Sequence, residues 1–210
     1  MKSTIFLTKQ NVLKLVFESV LIIFSVLLAL LLNEYRGQLK ENKQKKLAMQ
    51  MVKIELRANL ETINEWRPYH EEVLTNLNEA LKSDFSKNIL FTENGERIGS
   101  LMPNGVVQQL IDNASWKTLK TSNISSTIDL NTMFTLSKLY KLQAQGVEST
   151  LNNILMIIKS RESLNKKNQR STIMLLRNNF KEMVSQEVFL IHKYEQALIE
   201  IGIQDDEFKK

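Results

Sequence analysis

The two histidines are the first residues to consider for catalysis or metal binding, because the chain contains no cysteine. His70 precedes Glu71 and Glu72, but one helical turn supplies an incomplete ligand set, and the HExxH spacing of zinc proteases does not occur. Neither His70 nor His192 lies in the nucleophile-elbow setting of a Ser-His-Asp hydrolase. We predict a solvated helix position for His70 and a partly buried, hydrogen-bonded position for His192.

Phosphate binding and acid–base catalysis have no stronger sequence signal. The Gly95–Gly99 segment lacks the lysine and the strand-to-helix context of a phosphate-binding loop. Carboxylates are scattered among lysines, as on ordinary solvated faces, so no pair stands out as a general acid and base. The sequence therefore predicts a protein that is not an enzyme and that takes no cofactor or metal ion.

The excess positive charge of the chain lies around one apolar segment. Residues 1–53 hold nine Lys/Arg against three Asp/Glu, a net charge of +6, whereas the remaining residues hold nineteen against twenty, a net charge of −1. A nucleic-acid-binding domain would carry its basic stripe on the folded part of the chain. Basic flanks beside an apolar segment are typical of contact with lipid headgroups, so we predict a bilayer and no nucleic acid as a partner.

The apolar segment from Val12 to Leu32 has the length of a transmembrane helix. Its 21 residues would span about 31 Å as a helix, which matches the hydrocarbon core of a bilayer. A cleaved signal peptide is the alternative, but no small-x-small cleavage site follows the segment. We therefore predict a retained anchor at residues 12–32, with Tyr35 at the membrane interface.

The cations that flank the anchor decide its orientation only weakly. The N-terminal side carries Lys2, Lys9, Lys14 and the terminal amine, and the C-terminal side carries Arg36, Lys40, Lys43, Lys45 and Lys46. Long C-terminal domains translocate with little regard to charge. We predict the bacterial inner membrane as the location, with the N-terminus inside and the soluble domain on the periplasmic side.

Lys14 and Glu18 are the charged residues inside the anchor, and they allow two interpretations. Their spacing of four residues puts them on one helix face, where they can pair near the headgroup boundary. An acid within a transmembrane segment is also a candidate proton site, which would suit a stator-like accessory protein. We predict the interfacial pair and keep the proton site as the alternative.

Residues 33–66 predict a helical stalk, because residues 37–66 contain no proline and are rich in good helix formers. Two adjacent apolar stripes run along the predicted stalk. One contains Leu47, Met51, Ile54 and Ala58, and the other contains Leu56, Leu60 and Ile63. A face this wide suits packing on two neighbours better than the seam of a two-stranded coiled coil. Pro68 predicts a break, after which Tyr69–Lys82 forms a further helix.

The rest of the chain predicts an all-α antiparallel helical bundle. Residues 83–105 form an irregular insertion, in which 89–92 and 97–101 flank Asn94-Gly95 and form either a small β-hairpin or a loop. We expect Asn104 to cap a helix that ends near Lys120, and Asp129 to cap a long helix whose apolar face is completed by Ala144. The final helix has the most regular apolar face, formed by Ile173, Leu176, Phe180, Met183, Leu190, Tyr194, Ala197 and Ile201 and interrupted by Glu187. The predicted divisions are tail 1–11, anchor 12–32, stalk 33–66, bundle 67–206 and tail 207–210.

One cluster rich in polar residues surrounds a tryptophan: Asp112, Trp116 and Lys120, with Tyr140 on the next helix. Trp116 either plugs the bundle core against Tyr140 or anchors a recognition patch for a peptide, a glycan or a partner subunit. The sequence leaves both interpretations open.

Short motifs resemble a set of uncharacterised bacterial single-pass membrane proteins whose anchors end in an Asn-Glu-Trp type of signature. They are the Asn-Glu-Tyr-Arg sequence at 33–36, Ala114-x-Trp116-x-x-x-Lys120-x-Ser122 and Leu136-x-x-x-Tyr140. Tyr35 stands where tryptophan is more usual. The resemblance implies a helical, membrane-anchored architecture and supplies no activity.

These observations favour a non-enzymatic, membrane-anchored interaction or scaffold subunit that is a homo-oligomer or binds another membrane protein. One alternative is an extracytoplasmic sensor that binds a small ligand near Trp116 and residues 83–105 and signals through a separate partner. A second alternative is a stator-like accessory that uses Glu18.

Overall fold

The computed structural model describes residues 9–84, 90, 98–107 and 109–207, and it describes side chains from 12 to 202 within those ranges. The chain forms two compact units, residues 1–47 and residues 48–210. Every described residue outside turns and irregular segments is helical, so the predicted all-α class is confirmed. The boundary between the units falls within the first helix, α1, which runs from Lys9 to Lys82.

The apolar part of α1 is exposed along its whole described length. All side chains from Val12 to Gln44 are exposed. By length and composition this helix could cross a membrane, since its most apolar 18-residue window has a mean hydropathy of 2.8. The hydroxyl groups of Ser19 and Ser25 donate to the carbonyl oxygens four residues earlier, at 2.8 Å in both cases. These two serines therefore satisfy their hydrogen bonds within the helix and interrupt its apolar surface little.

The predicted break at Pro68 is wrong, because α1 continues through it to Lys82. Pro68 lacks the N–H group that would bond the carbonyl of Asn64, and both residues lie on the exposed face of the helix. Water can therefore bind the freed carbonyl. The second unit also begins earlier than the bundle predicted from sequence, because Met49 and Val52 of α1 are already buried in it.

The other helices of the second unit are α2 (Ala114–Thr121), α3 (Leu130–Leu142), α4 (Ser149–Lys159) and α5 (Gln169–Glu207). Short 3-10 turns occupy Asn123–Thr127, Glu162–Leu164 and Lys166–Asn168. The side chain of Asp129 accepts hydrogen bonds from the backbone N–H groups of Asn131 and Thr132, so it caps α3 as predicted. The helix expected from Asn104 begins only at Ala114, and its cap is therefore a different one.

A π-helical turn at Gln143–Glu148 joins α3 to α4. It places Gln143 in the core with no exposed surface, while Ala144, which we expected to complete the apolar face, is exposed. Gly146 lies against α5, where an added Cβ would stand 2.7 Å from the side-chain oxygen of Gln186. The turn therefore brings a polar side chain inward and lets the two helices approach closely.

Polar contacts fix the relative directions of the long helices within the second unit. His70 of α1 contacts Glu187 of α5, and Thr135 near the start of α3 contacts Glu200 near the end of α5. Gln143, further along that connection, contacts Tyr194, which lies earlier on α5. Therefore α5 runs antiparallel to the α3–α4 connection.

The predicted β-hairpin is not supported. Leu90 and residues 98–101 form bends and turns, and the Ile98 N–H donates to the Leu90 carbonyl at 2.7 Å. The remainder of the expected hairpin lies outside the described residues. Ile98 has φ of +64° although it is β-branched and 5% exposed, so its backbone is strained at the point where the chain turns.

Candidate functional site

A buried carboxylate at the centre of the second unit gathers three hydrogen-bond donors. Glu55 of α1 is 7% exposed and accepts from the backbone N–H groups of Ser115 at 2.6 Å and Trp116 at 3.3 Å. The hydroxyl of Tyr140 on α3 donates to the same carboxylate at 2.5 Å. Ser115 and Trp116 lie in the first turn of α2, so Glu55 caps that helix from a neighbouring one.

One helical turn further along α1, Asn59 holds the backbone of Asp112 at two points. Its amide nitrogen donates to the Asp112 carbonyl at 2.7 Å, and its amide oxygen accepts from the Asp112 N–H at 2.8 Å. Gln143 donates to the same carbonyl at 3.2 Å and accepts from the Tyr194 hydroxyl at 2.6 Å. Asn59 and Gln143 thus link α1, α5 and the π-helical turn through the main chain at Asp112.

Burial raises the pKa of both tyrosine hydroxyls in this network. At Tyr140 desolvation is the largest cause, and the adjacent Glu55 carboxylate adds to it. At Tyr194 desolvation is again the largest cause, partly offset by a hydrogen bond from Asn59. Both hydroxyls therefore remain protonated donors well above pH 10, the ordinary pKa of tyrosine.

The structure brings together three of the four residues of the predicted tryptophan cluster. Trp116 stacks on Tyr140 with ring centroids 5.4 Å apart and an angle of 1° between the planes, and both rings are buried. Asp112 lies just before α2, and its backbone bonds Asn59, which is one turn along α1 from the Glu55 that bonds Trp116 and Tyr140. Lys120 is exposed and separate from this contact. Trp116 and Tyr140 thus occupy the core in this structure.

An irregular segment lies along α1 in the opposite direction. We call it the strap, residues 98–107 and 109–113. Asn76 donates to the Leu101 carbonyl at 3.3 Å, and the Tyr69 hydroxyl donates to the Gly105 carbonyl at 2.6 Å and accepts from the Asn104 N–H at 3.1 Å. Together with the Asn59 contacts, these bonds show that α1 side chains satisfy backbone groups that helices or sheets would otherwise pair.

His70 connects the strap, α1 and α5 at one buried point. One ring nitrogen, Nε2, lies 2.8 Å from the Val106 carbonyl, and the other, Nδ1, lies 2.5 Å from Oε1 of Glu187. His70 and Glu187 are fully buried. The prediction of a solvated His70 is therefore wrong, and so is that of a partly buried His192, which is exposed.

Within the described part of the chain, two buried polar atoms beside His70 have no hydrogen-bond partner. They are Oε2 of Glu187 and the indole Nε1 of Trp66, a residue that is 2% exposed. The rings of Trp66 and His70 have centroids 5.9 Å apart, and Phe180 contacts His70 edge-on at 5.5 Å. Burial raises the pKa of the Glu187 carboxyl, although the hydrogen bond from His70 opposes that effect.

The predicted membrane residues all lie on the exposed surface of α1. The side chains of Val12, Leu32 and Tyr35 are exposed. Lys14 Nζ is 3.9 Å from Glu18 Oε1, and their side chains are 77% and 58% exposed. Across the described residues, no group of three or more His, Cys, Asp or Glu side chains is arranged to hold a metal ion.

The two stripes predicted on the stalk have different surroundings in the second unit. Leu56 and Ile63 are fully buried in the bundle, whereas Met51 and Ile54 are 49% and 51% exposed and Ala58 is exposed. At 100° per residue, the centre of the exposed stripe lies roughly 160° around α1 from Leu56 and Ile63. We call Met51, Ile54 and Ala58 the outer stripe.

Sequence reasoning missed Glu55, Asn59, Gln143 and the His70–Glu187 pair. The interruption of the apolar face of α5 at Glu187 was the one available signal, because a charged residue at a core position needs a partner. No protein-family model, curated protein or solved structure matches the chain.

Proposed function

We propose that this protein is a non-enzymatic, single-pass membrane protein whose helical bundle acts as an interaction subunit of a membrane or envelope complex. The observation that carries the proposal is α1 itself. One uninterrupted helix contains an exposed apolar segment of membrane-spanning length and also forms part of a bundle core. Burial in lipid would remove that apolar segment from water.

The outer stripe supports an interaction role for the bundle. The sequence predicts a face wide enough for two neighbours, and the chain's own bundle covers only the stripe that contains Leu56 and Ile63. Met51, Ile54 and Ala58 are left exposed at the 3-4 spacing with which helices pack side by side. A partner helix would complete this packing.

We assign that partner as a second copy of the chain. Two copies anchored by the same segment enter the bilayer in the same orientation, which brings equal positions of α1 alongside each other. Confinement to one membrane also raises their effective concentration, so a short apolar contact suffices for association.

Cysteine crosslinking tests the stripe directly, because the natural chain has no cysteine to give background. Ile54→Cys and Ala58→Cys, each in the full chain in native membranes, should form a disulfide-linked dimer on mild oxidation. Arg57→Cys is the matched control for Ala58→Cys, since Arg57 is exposed at the same level of α1 but lies about 100° around the helix from Ala58. The expected result is a band of twice the chain mass for the stripe variants alone.

Two outcomes would contradict the assignment. Equal crosslinking of Arg57→Cys would mean random collision, and an absence of product from both stripe variants would mean that no second copy covers the stripe. If a mild amine crosslinker then also leaves the chain monomeric and without any associated protein, the interaction function itself fails.

The orientation is a separate part of the proposal. We place the N-terminus in the cytoplasm and the bundle in the periplasm of a bacterium, because long C-terminal domains translocate despite basic flanks. Alkaline phosphatase fused after Lys210 should be active, and a fluorescent protein fused at the same point should be dark. The reverse pattern would place the bundle in the cytoplasm.

A further inference from the structure

His70 makes a titratable contact with the strap near its middle. His70 Nε2 lies 2.8 Å from the Val106 carbonyl, and a carbonyl oxygen only accepts hydrogen bonds. Nε2 therefore carries a proton. A second proton must lie between Nδ1 and Glu187 Oε1, because two bare acceptors only 2.5 Å apart would repel each other.

Loss of that second proton changes which atom of the imidazole can donate. The ring would then hold one proton, with a carboxylate facing Nδ1 and a neutral carbonyl facing Nε2. Hydrogen bonds to a charged acceptor are roughly twice as strong as those to a neutral one, so the remaining proton moves to Nδ1. Nε2 then presents a lone pair to the Val106 carbonyl, and the contact between His70 and the strap becomes repulsive.

The groups around His70 and Glu187 offer little compensation for the charge that remains when the shared proton is lost. Glu187 is fully buried, and no described residue gives its Oε2 a hydrogen bond, so a lone carboxylate there would be poorly compensated. The neighbouring charges are Arg67 and Glu71 of α1, which pair with each other at 2.9 Å at the exposed surface and oppose one another at Glu187. Phe180 of α5 and Val106 of the strap add no charge where they meet His70.

The strap also begins at a strained residue. Ile98 has φ of +64°, a conformation that is strained for a β-branched residue and persists only while its surroundings enforce it. The N–H of Ile98 donates to Leu90, and its carbonyl accepts from Leu101 and Met102. Opening of the strap would relieve this strain, so the closed position depends on contacts such as that of His70.

We propose that His70 and Glu187 form a proton-operated latch that holds the strap on α1 and releases it when the pair gives up its shared proton to solvent. The latch lies within the bundle, and its action does not require the proposed membrane anchor or the proposed second copy of the chain. Its action requires one proton and the change of imidazole tautomer described above.

Hydrogen exchange of the full chain in detergent micelles, at pH 6 and at pH 9, tests the latch. After correction for intrinsic exchange, peptides from 98–107 and 109–113 should be clearly less protected at pH 9 than at pH 6, because the closed position keeps a proton that the opened one gives up to solvent. Peptides from α5 should keep their protection. They report that the bundle remains folded.

Glu187→Gln separates the latch from other effects of pH. The glutamine amide donates to Nδ1 of a neutral imidazole, so Nε2–H stays on Val106 and the strap should be equally protected at both pH values. Glu195→Gln, an exposed change on the same helix, should behave like the natural protein. Tyr69→Phe removes a clamp that does not titrate in this range, so it should lower strap protection by the same factor at pH 6 and pH 9.

A direct measurement of the imidazole covers the case in which Glu187→Gln does not fold. Nitrogen-15 NMR of the natural protein should show His70 protonated at Nε2 at pH 6 and at Nδ1 at pH 9, with exposed His192 as the internal reference. The latch is refuted if strap protection is the same at both pH values, or if Glu187→Gln loses protection as the natural protein does. It is also refuted if His70 keeps its Nε2 proton at pH 9 while the strap opens.

Discussion

Replacement of Glu55 by glutamine tests whether the bundle is closed by its buried carboxylate. Glutamine has nearly the same shape as glutamate but offers one acceptor oxygen in place of two. All three groups around Glu55 are donors: the N–H groups of Ser115 and Trp116 and the hydroxyl of Tyr140. The best orientation keeps the amide oxygen at the Oε1 position, where it serves Trp116 and Tyr140. The amide NH2 group then faces the N–H of Ser115.

The expected loss of stability follows from these contacts. A buried N–H left without an acceptor costs about 1–3 kcal/mol, and the two retained bonds weaken by about 1 kcal/mol each when the acceptor loses its charge. Burial of an amide costs less than burial of a carboxylate, which offsets part of the loss. We expect a net destabilisation of about 3 kcal/mol. For a chain of this size that corresponds to a fall in Tm of roughly 6–12 °C.

Thermal unfolding of the full chain in detergent micelles measures this loss, with circular dichroism for the helices and tryptophan fluorescence for the buried Trp66 and Trp116. The control is Glu61→Gln, which removes a charge from an exposed position on the same helix and should change Tm by less than about 2 °C. A Glu55→Gln protein that melts within 1 °C of the natural one, or an equal loss in the control, would refute the role given to Glu55.

Three further changes test other features of the fold. The folded protein raises the pKa values of Tyr140 and Tyr194 above 10, so above pH 10 each keeps a proton that the unfolded chain has lost. The free energy of unfolding, measured by denaturant titration, should therefore fall above pH 10 by about 1.4 kcal/mol per pH unit and per tyrosine. Tyr194→Phe should reduce that slope. Gly105 has φ of +75°, so Gly105→Ala should lower the free energy of unfolding by about 1–2 kcal/mol, although no described atom lies within 4 Å of where its Cβ would stand. Gly202→Ala, in a helix, should not lower it. Pro68→Ala should raise the free energy of unfolding by about 1–3 kcal/mol, since it restores a backbone hydrogen bond within α1, and a loss of stability would show that the helix needs its proline.

Local patterns in the sequence were sufficient to predict the helices and much of their packing. The eight positions of the predicted apolar face of α5, from Ile173 to Ile201, are buried as their spacing predicts, and Asp129 caps α3. Both features depend on residues within a few positions of one another. The error at Pro68 arose at the same scale, because the cost of a helical proline depends on whether solvent reaches the freed carbonyl.

The candidate site could not be predicted, because its partners are far apart in sequence. Glu55 meets Tyr140 across 85 positions, and His70 meets Glu187 across 117. By themselves, Glu55 and His70 have the pattern of solvated positions on a helix, and neither Tyr140 nor Glu187 indicates which distant residue it meets. The π-helical turn adds a second difficulty, since it puts Gln143 where the regular spacing expects Ala144.

The strap explains why α1 carries so many buried polar side chains. A segment without regular structure that packs against a helix exposes main-chain N–H and C=O groups to an apolar surface, and each needs a partner. Asn59, Tyr69, His70 and Asn76 supply those partners, and Glu55 continues the series into α2. Apolar residues at these positions would extend the apolar face of α1, but the main-chain N–H and C=O groups of the strap would then lack hydrogen-bond partners. The polar side chains of α1 therefore lie at the positions where the main chain of the strap needs hydrogen-bond partners, and their order along α1 follows the course of the strap.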